Sequence, residues 1–299
     1  MDDRLRIHEV AARDGLQNEA TVLSTDDKLA LLGRLAATRP DSLEVTSFVR
    51  ADRVPQLADA DELCSRLATE PWRAGQTLVG LVLNLRGYER FRGSGLDAIT
   101  AVIGANEAFS RANSGMDIAR AVEANRELVA AATADGFPVR LYLSMAFGSP
   151  QDGPTPTAAV LELVAAAAEM GVERVLLSDT VGVGTPEQVE SLVEGSLAHL
   201  PLDRLGLHMH DTYGRALENV AAGVACGIRL VDASAGGTGG CPFAPGAAGN
   251  LATGALLAWA KGAGIACEGD GDAVDEAARF LAARLGRPLA MGEAREALS

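Results

Sequence analysis

Along the 299-residue chain, apolar residues fall into two kinds of segment that alternate. Short runs of β-favouring residues, apolar with little alternation, are separated by longer stretches whose apolar positions recur every three or four residues. A strand covered on both faces needs no polar side, so unpatterned short runs suit a buried parallel sheet. They predict eight strands: Leu5–Val10, Ser42–Thr46, Thr77–Val82, Ala98–Ile103, Val139–Ser144, Arg174–Ser178, Leu205–His208 and Leu230–Ser234. Between them the helical period picks out stretches such as Thr25–Ala37, Asp59–Ala68, Ile118–Ala134, Thr157–Met170, Pro186–Ala198 and Ala216–Cys226. Several of these open on a Ser, Thr or Asp able to cap free backbone N–H groups.

Strand-then-helix, repeated eight times in about 260 residues, is the pattern of a closed (β/α)8 TIM barrel, an α/β fold with its active site at the C-terminal ends of the strands. A doubly wound sheet would normally place a glycine-rich phosphate turn after its first strand, whereas AARDGLQNE stands there. No Pro/Ser-rich linker divides the chain. Residues 1–299 therefore read as one catalytic domain, with an amphipathic helix around 272–285 appended to the barrel.

Composition narrows the partners. Hydrophobic residues make up 48% and charged residues 22%, which suits a compact α/β protein and excludes a disordered chain. A formal charge of −14 repels nucleic acid and anionic lipid overall, so a phosphate-bearing ligand needs a local basic patch. No apolar stretch reaches the roughly 18 residues of a membrane span. The four cysteines, Cys64, Cys226, Cys241 and Cys267, lack metal-finger spacing, and MDDRLRIHEV lacks the apolar run of a secretory signal. A cytoplasmic protein is expected.

The unusual polar residues cluster just after predicted strands: Arg13 and Asp14 after the first, Glu44 in the second, Asp179 after the sixth, His208 and His210 at the seventh, Asn250 after the eighth. In a barrel those strand ends open onto one face. Strand side chains alternate with a period of two, so both imidazoles of His208-Met209-His210 face one side and could share a metal. Either alone could equally be a buried histidine with one hydrogen bond. With Asp14 and Asn250 the set offers two nitrogens and two hard oxygens, suited to Mg2+ or Mn2+ rather than to closed structural zinc. Arg13 reads either as half of a surface ion pair or as a guanidinium holding a developing enolate oxygen. Cys241 lies in GGTGGCPFAPGAAGN, which must be a loop; most lone cysteines are buried hydrophobes, but one on a loop over a barrel mouth can move a proton. Glu44 and Asp179 read as supports, able to accept hydrogen bonds from a metal-bound histidine or from Arg13. His8, inside the first strand, reads as packed.

The segments EVAARDGLQNE, LEVTSFV, VPQL, SDTVGVGTP, HMHDTYGRALEN and GGCPFAPGAAGNLAT together resemble the 3-hydroxy-3-methylglutaryl-CoA lyase family, from Glu9 to about Thr253. The resemblance implies that Asp14, His208, His210 and Asn250 bind a divalent cation, that Arg13 steadies an enolate, and that Cys241 takes part in proton transfer. The implied reaction is a retro-Claisen cleavage of a 3-hydroxyacyl-CoA to acetyl-CoA and acetoacetate, a step of leucine degradation, in which metal and His208 help remove the C3 hydroxyl proton. A homodimer is the implied assembly. Arg50 and Arg53 after the second strand, with Arg86 and Arg90 after the third, could rim the mouth and hold the CoA phosphates, or be solvated surface charges.

The chain departs from the family pattern at Ala20 and Gly254, where the family has Lys and Glu, across Arg50–Arg53, and from Met145 to Gly153. Met145 and Phe147 could shape a pocket for a different 3-substituent or merely repack a strand end. Two rival readings remain: a synthase of the same barrel group joining acetyl-CoA to a 2-oxo acid, which Cys241 disfavours, and a non-catalytic acyl-CoA-binding barrel.

Overall fold

The computed structural model describes residues 3–240 and 249–291. Its eight strands are β1 (Arg6–Glu9), β2 (Ser42–Ser47), β3 (Leu78–Leu81), β4 (Ala98–Gly104), β5 (Val139–Ser144), β6 (Arg174–Asp179), β7 (Leu205–Met209) and β8 (Leu230–Ala233). Each pairs in parallel with the next and β8 returns to β1, closing the barrel. Nearly every strand residue is buried, which accounts for the unpatterned apolar runs: helices cover the outer face while side chains fill the interior.

The helices α1 (Thr25–Ala37), α2 (Ala60–Leu67), α3 (Leu85–Phe91), α4 (Glu107–Ser114), α5 (Ile118–Ala134), α6 (Thr157–Met170), α7 (Pro186–Ser196), α8 (Ala216–Ala225) and α9 (Thr253–Gly262) connect and follow the strands. Caps form where the sequence offers them. Ser24 accepts from the Asp27 N–H to start α1, and Thr185 with Gln188 builds a reciprocal capping box at α7. Helix α3 lies outside the stretches the helical period picks out, since it is short and holds Gly87, at which a Cβ would come within 2.8 Å of the Phe48 carbonyl oxygen. The last helix, α10 (Gly271–Leu285), lies against α1: Arg284 pairs with Asp27 at 2.5 Å and the Arg34 guanidinium sits 4.3 Å from the centre of the Phe280 ring. Among the described residues no helix is long and apolar enough to cross a membrane.

Two details position the site. First, β1 stops at Glu9 and the chain turns through a single π-helical turn, Ala11–Gly15, closed by the Gly15 N–H on the Val10 carbonyl at 3.1 Å. Such a widened turn is a common feature of functional sites, and this one carries Arg13 and Asp14. Second, the register aligns His8, Asp232 and His208 across the adjacent strands β1, β8 and β7, so three polar residues share one level of the barrel.

Candidate metal centre at the barrel mouth

The π-helical turn delivers Asp14 to the strand ends, and β7 delivers two imidazoles. His208 lies inside the strand, just before its last residue Met209; His210 lies just beyond it, in an isolated antiparallel bridge to Asn250. One donor atom from each of Asp14, His208 and His210 lies within 4.8 Å of the others. The two rings are 5.3 Å apart at their centroids, and His210 Nε2 stands 3.9 Å from Asp14 Oδ2. Asn250 donates from its amide nitrogen to the same Oδ2 at 2.7 Å and to the Thr238 carbonyl at 3.0 Å. Gly239 makes this approach possible: its φ is +108°, and a Cβ there would collide with the Asn250 amide.

Electrostatics separate these groups. Burial alone would raise the Asp14 carboxyl, but the charges of Arg13 and then of His208 hold it far below the usual carboxylate range. His210 is pushed down to about 4, first by burial and then by His208, so it is neutral and offers a lone pair at neutral pH. His208 is raised: burial opposes this, but the hydrogen bond and charge of Asp232 prevail. Two imidazoles able to offer ring nitrogens, an ionised carboxylate and a neighbouring amide form a donor set suited to a divalent cation.

Arg13 lies beside this cluster with its guanidinium already committed. Its Nε donates to Glu44 Oε2 at 2.6 Å and Nη1 donates to Asp14 Oδ1 at 2.7 Å. Burial would disfavour its charge, yet the two carboxylates raise it above the ordinary arginine range. Glu44, fully buried, is raised by that burial against the pull of Arg13.

Asp179 stands differently from the sequence expectation. Its carboxylate accepts from the backbone N–H groups of Val183 at 2.9 Å and Gly184 at 2.8 Å and so closes the turn into α7; among the described residues that carboxylate accepts from no histidine and not from Arg13, and the His210 backbone N–H reaches only the Asp179 carbonyl, at 3.2 Å. Burial lifts it to about 6. Among the described residues the carboxylate within hydrogen-bond distance of a histidine ring is Asp232 in β8, 3.0 Å from His208 Nδ1, and Tyr142 of β5 donates its hydroxyl to the same oxygen. Sequence reading does not reach either residue, although an Asp inside the apolar run LVDA is a signal that could have led there. His8 is packed as expected. Its Nδ1 lies 2.7 Å from Ser42 Oγ and 3.0 Å from Arg140 Nη1, and burial with the Arg140 charge lowers it to about 3.

The four candidate CoA-binding arginines divide. Arg50 is bound through Nε and Nη2 by Asp52, at 2.9 and 2.6 Å. Arg90 pairs with Asp61 at 3.0 Å and lies over the Phe48 ring at 5.6 Å. Arg53 and Arg86 are exposed, and neither forms an ion pair among the described residues. Cys241 falls in 241–248, outside the described residues.

A (β/α)8 barrel with a mixed carboxylate–imidazole cluster at its strand ends defines a class, the barrels able to seat a divalent cation where substrate enters. The chain belongs to the HMGL-like family, whose model matches residues 4–281. Over 284 residues it is 37% identical to the mitochondrial hydroxymethylglutaryl-CoA lyase of Arabidopsis thaliana, covering 95% of this chain but only 60% of that protein. The HMG-CoA lyase structure from Brucella melitensis superposes with a TM-score of 0.90 at 40% identity, covering 94% of this chain and 98% of that one. A structure of an HMG-CoA lyase from Acinetobacter baumannii in complex with coenzyme A and 3-methylmalate gives 0.91 at 32% identity, covering 99% and 97%.

Proposed function

We propose that this protein is a divalent-metal-dependent carbon–carbon lyase that cleaves 3-hydroxy-3-methylglutaryl-CoA, or a close 3-hydroxyacyl-CoA, to acetyl-CoA and acetoacetate. The observation that carries the reading is the Asp14–His208–His210 cluster beside the committed guanidinium of Arg13 at the barrel mouth. Family membership and the lyase relatives support the acyl-CoA substrate, and the A. baumannii structure holds coenzyme A on the same fold.

Asp14, His208 and His210 would hold the cation, Mg2+ or Mn2+, with Asn250 either completing the set or steadying Asp14. Once bound, the cation would polarise the oxygens of the acyl group. The chain's own residues supply the rest. Cleavage of the C2–C3 bond requires the C3 hydroxyl to lose its proton to solvent, with His208 assisting as a ligand of the cation that would acidify that hydroxyl, and leaves an electron pair on C2 conjugated with the thioester as an enolate. Arg13 stabilises the charge on that enolate oxygen by hydrogen bonds already fixed in direction by Glu44 and Asp14. A proton must then reach C2, and Cys241 is the donor in this reading, balancing the reaction without an oxidant. Arg53 and Arg86, on the segments after β2 and β3, are the candidate phosphate contacts. A cytoplasmic homodimer acting in leucine degradation completes the proposal; the free thiols of Cys64, Cys226 and Cys267 suit a reducing compartment.

The test is direct. Purified protein with 3-hydroxy-3-methylglutaryl-CoA and Mg2+ or Mn2+ should release acetyl-CoA and acetoacetate in equal amounts, and chelation should abolish the release. Cleavage only of 3-hydroxyacyl-CoAs with other 3-substituents would reassign the acyl group, and no cleavage of any would overturn the reading.

A further inference from the structure

We infer that Asp232 and Tyr142 act as a coupled positioning pair that fixes the orientation and tautomer of His208 toward the cation site. The inference rests on the cation-site reading above and concerns residues from three different strands, β8, β5 and β7.

All three side chains are buried. His208 Nδ1 lies 3.0 Å from Asp232 Oδ2, and the Tyr142 hydroxyl donates to that same oxygen. A carboxylate can only accept, so the imidazole hydrogen sits on Nδ1, leaving the Nε2 lone pair for the cluster with Asp14 and His210. Asp232 Oδ1 has no hydrogen-bond partner among the described residues. The plane of the carboxylate is therefore set by the two donors that converge on Oδ2. Tyr142 also touches His208 directly: the two rings meet edge to face, centroids 5.5 Å apart and planes at 72°. Tyr142 thus holds the imidazole twice, by its hydroxyl through Asp232 and by its ring. His210 has no such support, since its Nδ1 is buried without a partner among the described residues. The asymmetry makes His208 the pre-set donor and His210 the one that adjusts.

The experiment measures Mn2+ binding by calorimetry in wild type, Asp232→Asn, Tyr142→Phe and the double variant, with near-ultraviolet circular dichroism to report folding. Asp232→Asn should weaken Mn2+ binding on the order of 10- to 100-fold, as loss of an outer partner of a metal-binding histidine does. Tyr142→Phe keeps the ring and loses only the hydroxyl, so its loss should be smaller and in the same direction. The double variant should be no weaker than Asp232→Asn alone, because the hydroxyl acts through Asp232; a merely structural pair would give additive losses. Should Asp232→Asn fail to fold, Asp232→Glu takes its place and should bind Mn2+ more weakly than wild type, its carboxylate being displaced. Variants that bind Mn2+ within about twofold of wild type, or losses that add, would overturn the inference while leaving the cation site intact. A wild-type protein that binds no Mn2+ would remove both.

Discussion

Nε and Nη2 of Arg13 converge on a single oxygen of Glu44, each at 2.6 Å. An acid from β2 thereby fixes a base from the turn after β1, while Nη1 reaches forward to Asp14 at 2.7 Å. The guanidinium plane is set before any ligand arrives, and only a planar fork can satisfy both carboxylates at once. Arg13→Lys keeps the charge but not the fork. It should retain Mn2+ binding and lose turnover on the order of 10²-fold or more, the scale of one transition-state hydrogen-bond donor. The ratio of the two kcat values at saturating substrate measures this, and near-normal turnover with metal bound would reduce Arg13 to a structural role.

Glu9 joins three segments beneath the mouth. Its carboxyl accepts from the Ala11 N–H and the Ala235 N–H, both at 2.9 Å, and from the Thr253 hydroxyl at 2.6 Å. Burial, the largest influence, raises it from 4.5 to about 7 despite those donors. A carboxyl raised in the folded state binds more protons there than in the unfolded chain. Its contribution is therefore fully present below about pH 4.5 and is lost as pH rises through about 7. The loss is bounded at about 3.5 kcal/mol, because each tenfold change in proton affinity is worth about 1.4 kcal/mol. Glu9→Gln cannot titrate, so its stability relative to wild type should improve steadily from pH 5 to 8 in urea unfolding. Parallel stability curves for the two proteins across that range would show that Glu9 titrates normally.

The barrel is legible in the chain because its strands are buried on both faces, which suppresses the alternation of an exposed sheet and leaves short apolar runs between helical periods. The gathering of Arg13, Asp14, His208 and His210 follows from the same fact, since each stands at or shortly beyond a predicted strand end, whereas Asn250, far past the eighth, returns to the mouth through its bridge to His210. What is hidden depends on the third dimension. Asp232 and Tyr142 sit inside strands, where nothing in a single run says which neighbour the side chain faces; only the register of β7 with β8 puts Asp232 opposite His208. Asp179 reads as a support able to accept from a histidine or from Arg13 by its place at the sixth strand's end, but the tight turn to Gly184 brings two backbone N–H groups onto its carboxylate. The π-helical turn is invisible for a similar reason: AARDG has no composition that distinguishes a widened turn from an ordinary loop.

With a net charge of −14 the bulk surface repels CoA, so the phosphates must meet a local cation that is not already neutralised. Arg50 is paired with Asp52, and Arg90 with Asp61, so each would have to leave an exposed carboxylate to meet a phosphate. Arg53 and Arg86 remain, exposed on the segments after β2 and β3. The double variant Arg53→Glu/Arg86→Glu should raise KM for acyl-CoA on the order of tenfold at low ionic strength, the scale of surface steering of a charged ligand. The effect should shrink in about 1 M salt, where screening acts within about 3 Å, while kcat changes little. Arg50→Glu alone should change KM less, because Asp52 already offsets that charge. Equal KM values for wild type and the double variant at low salt would place the CoA tail on another part of the barrel.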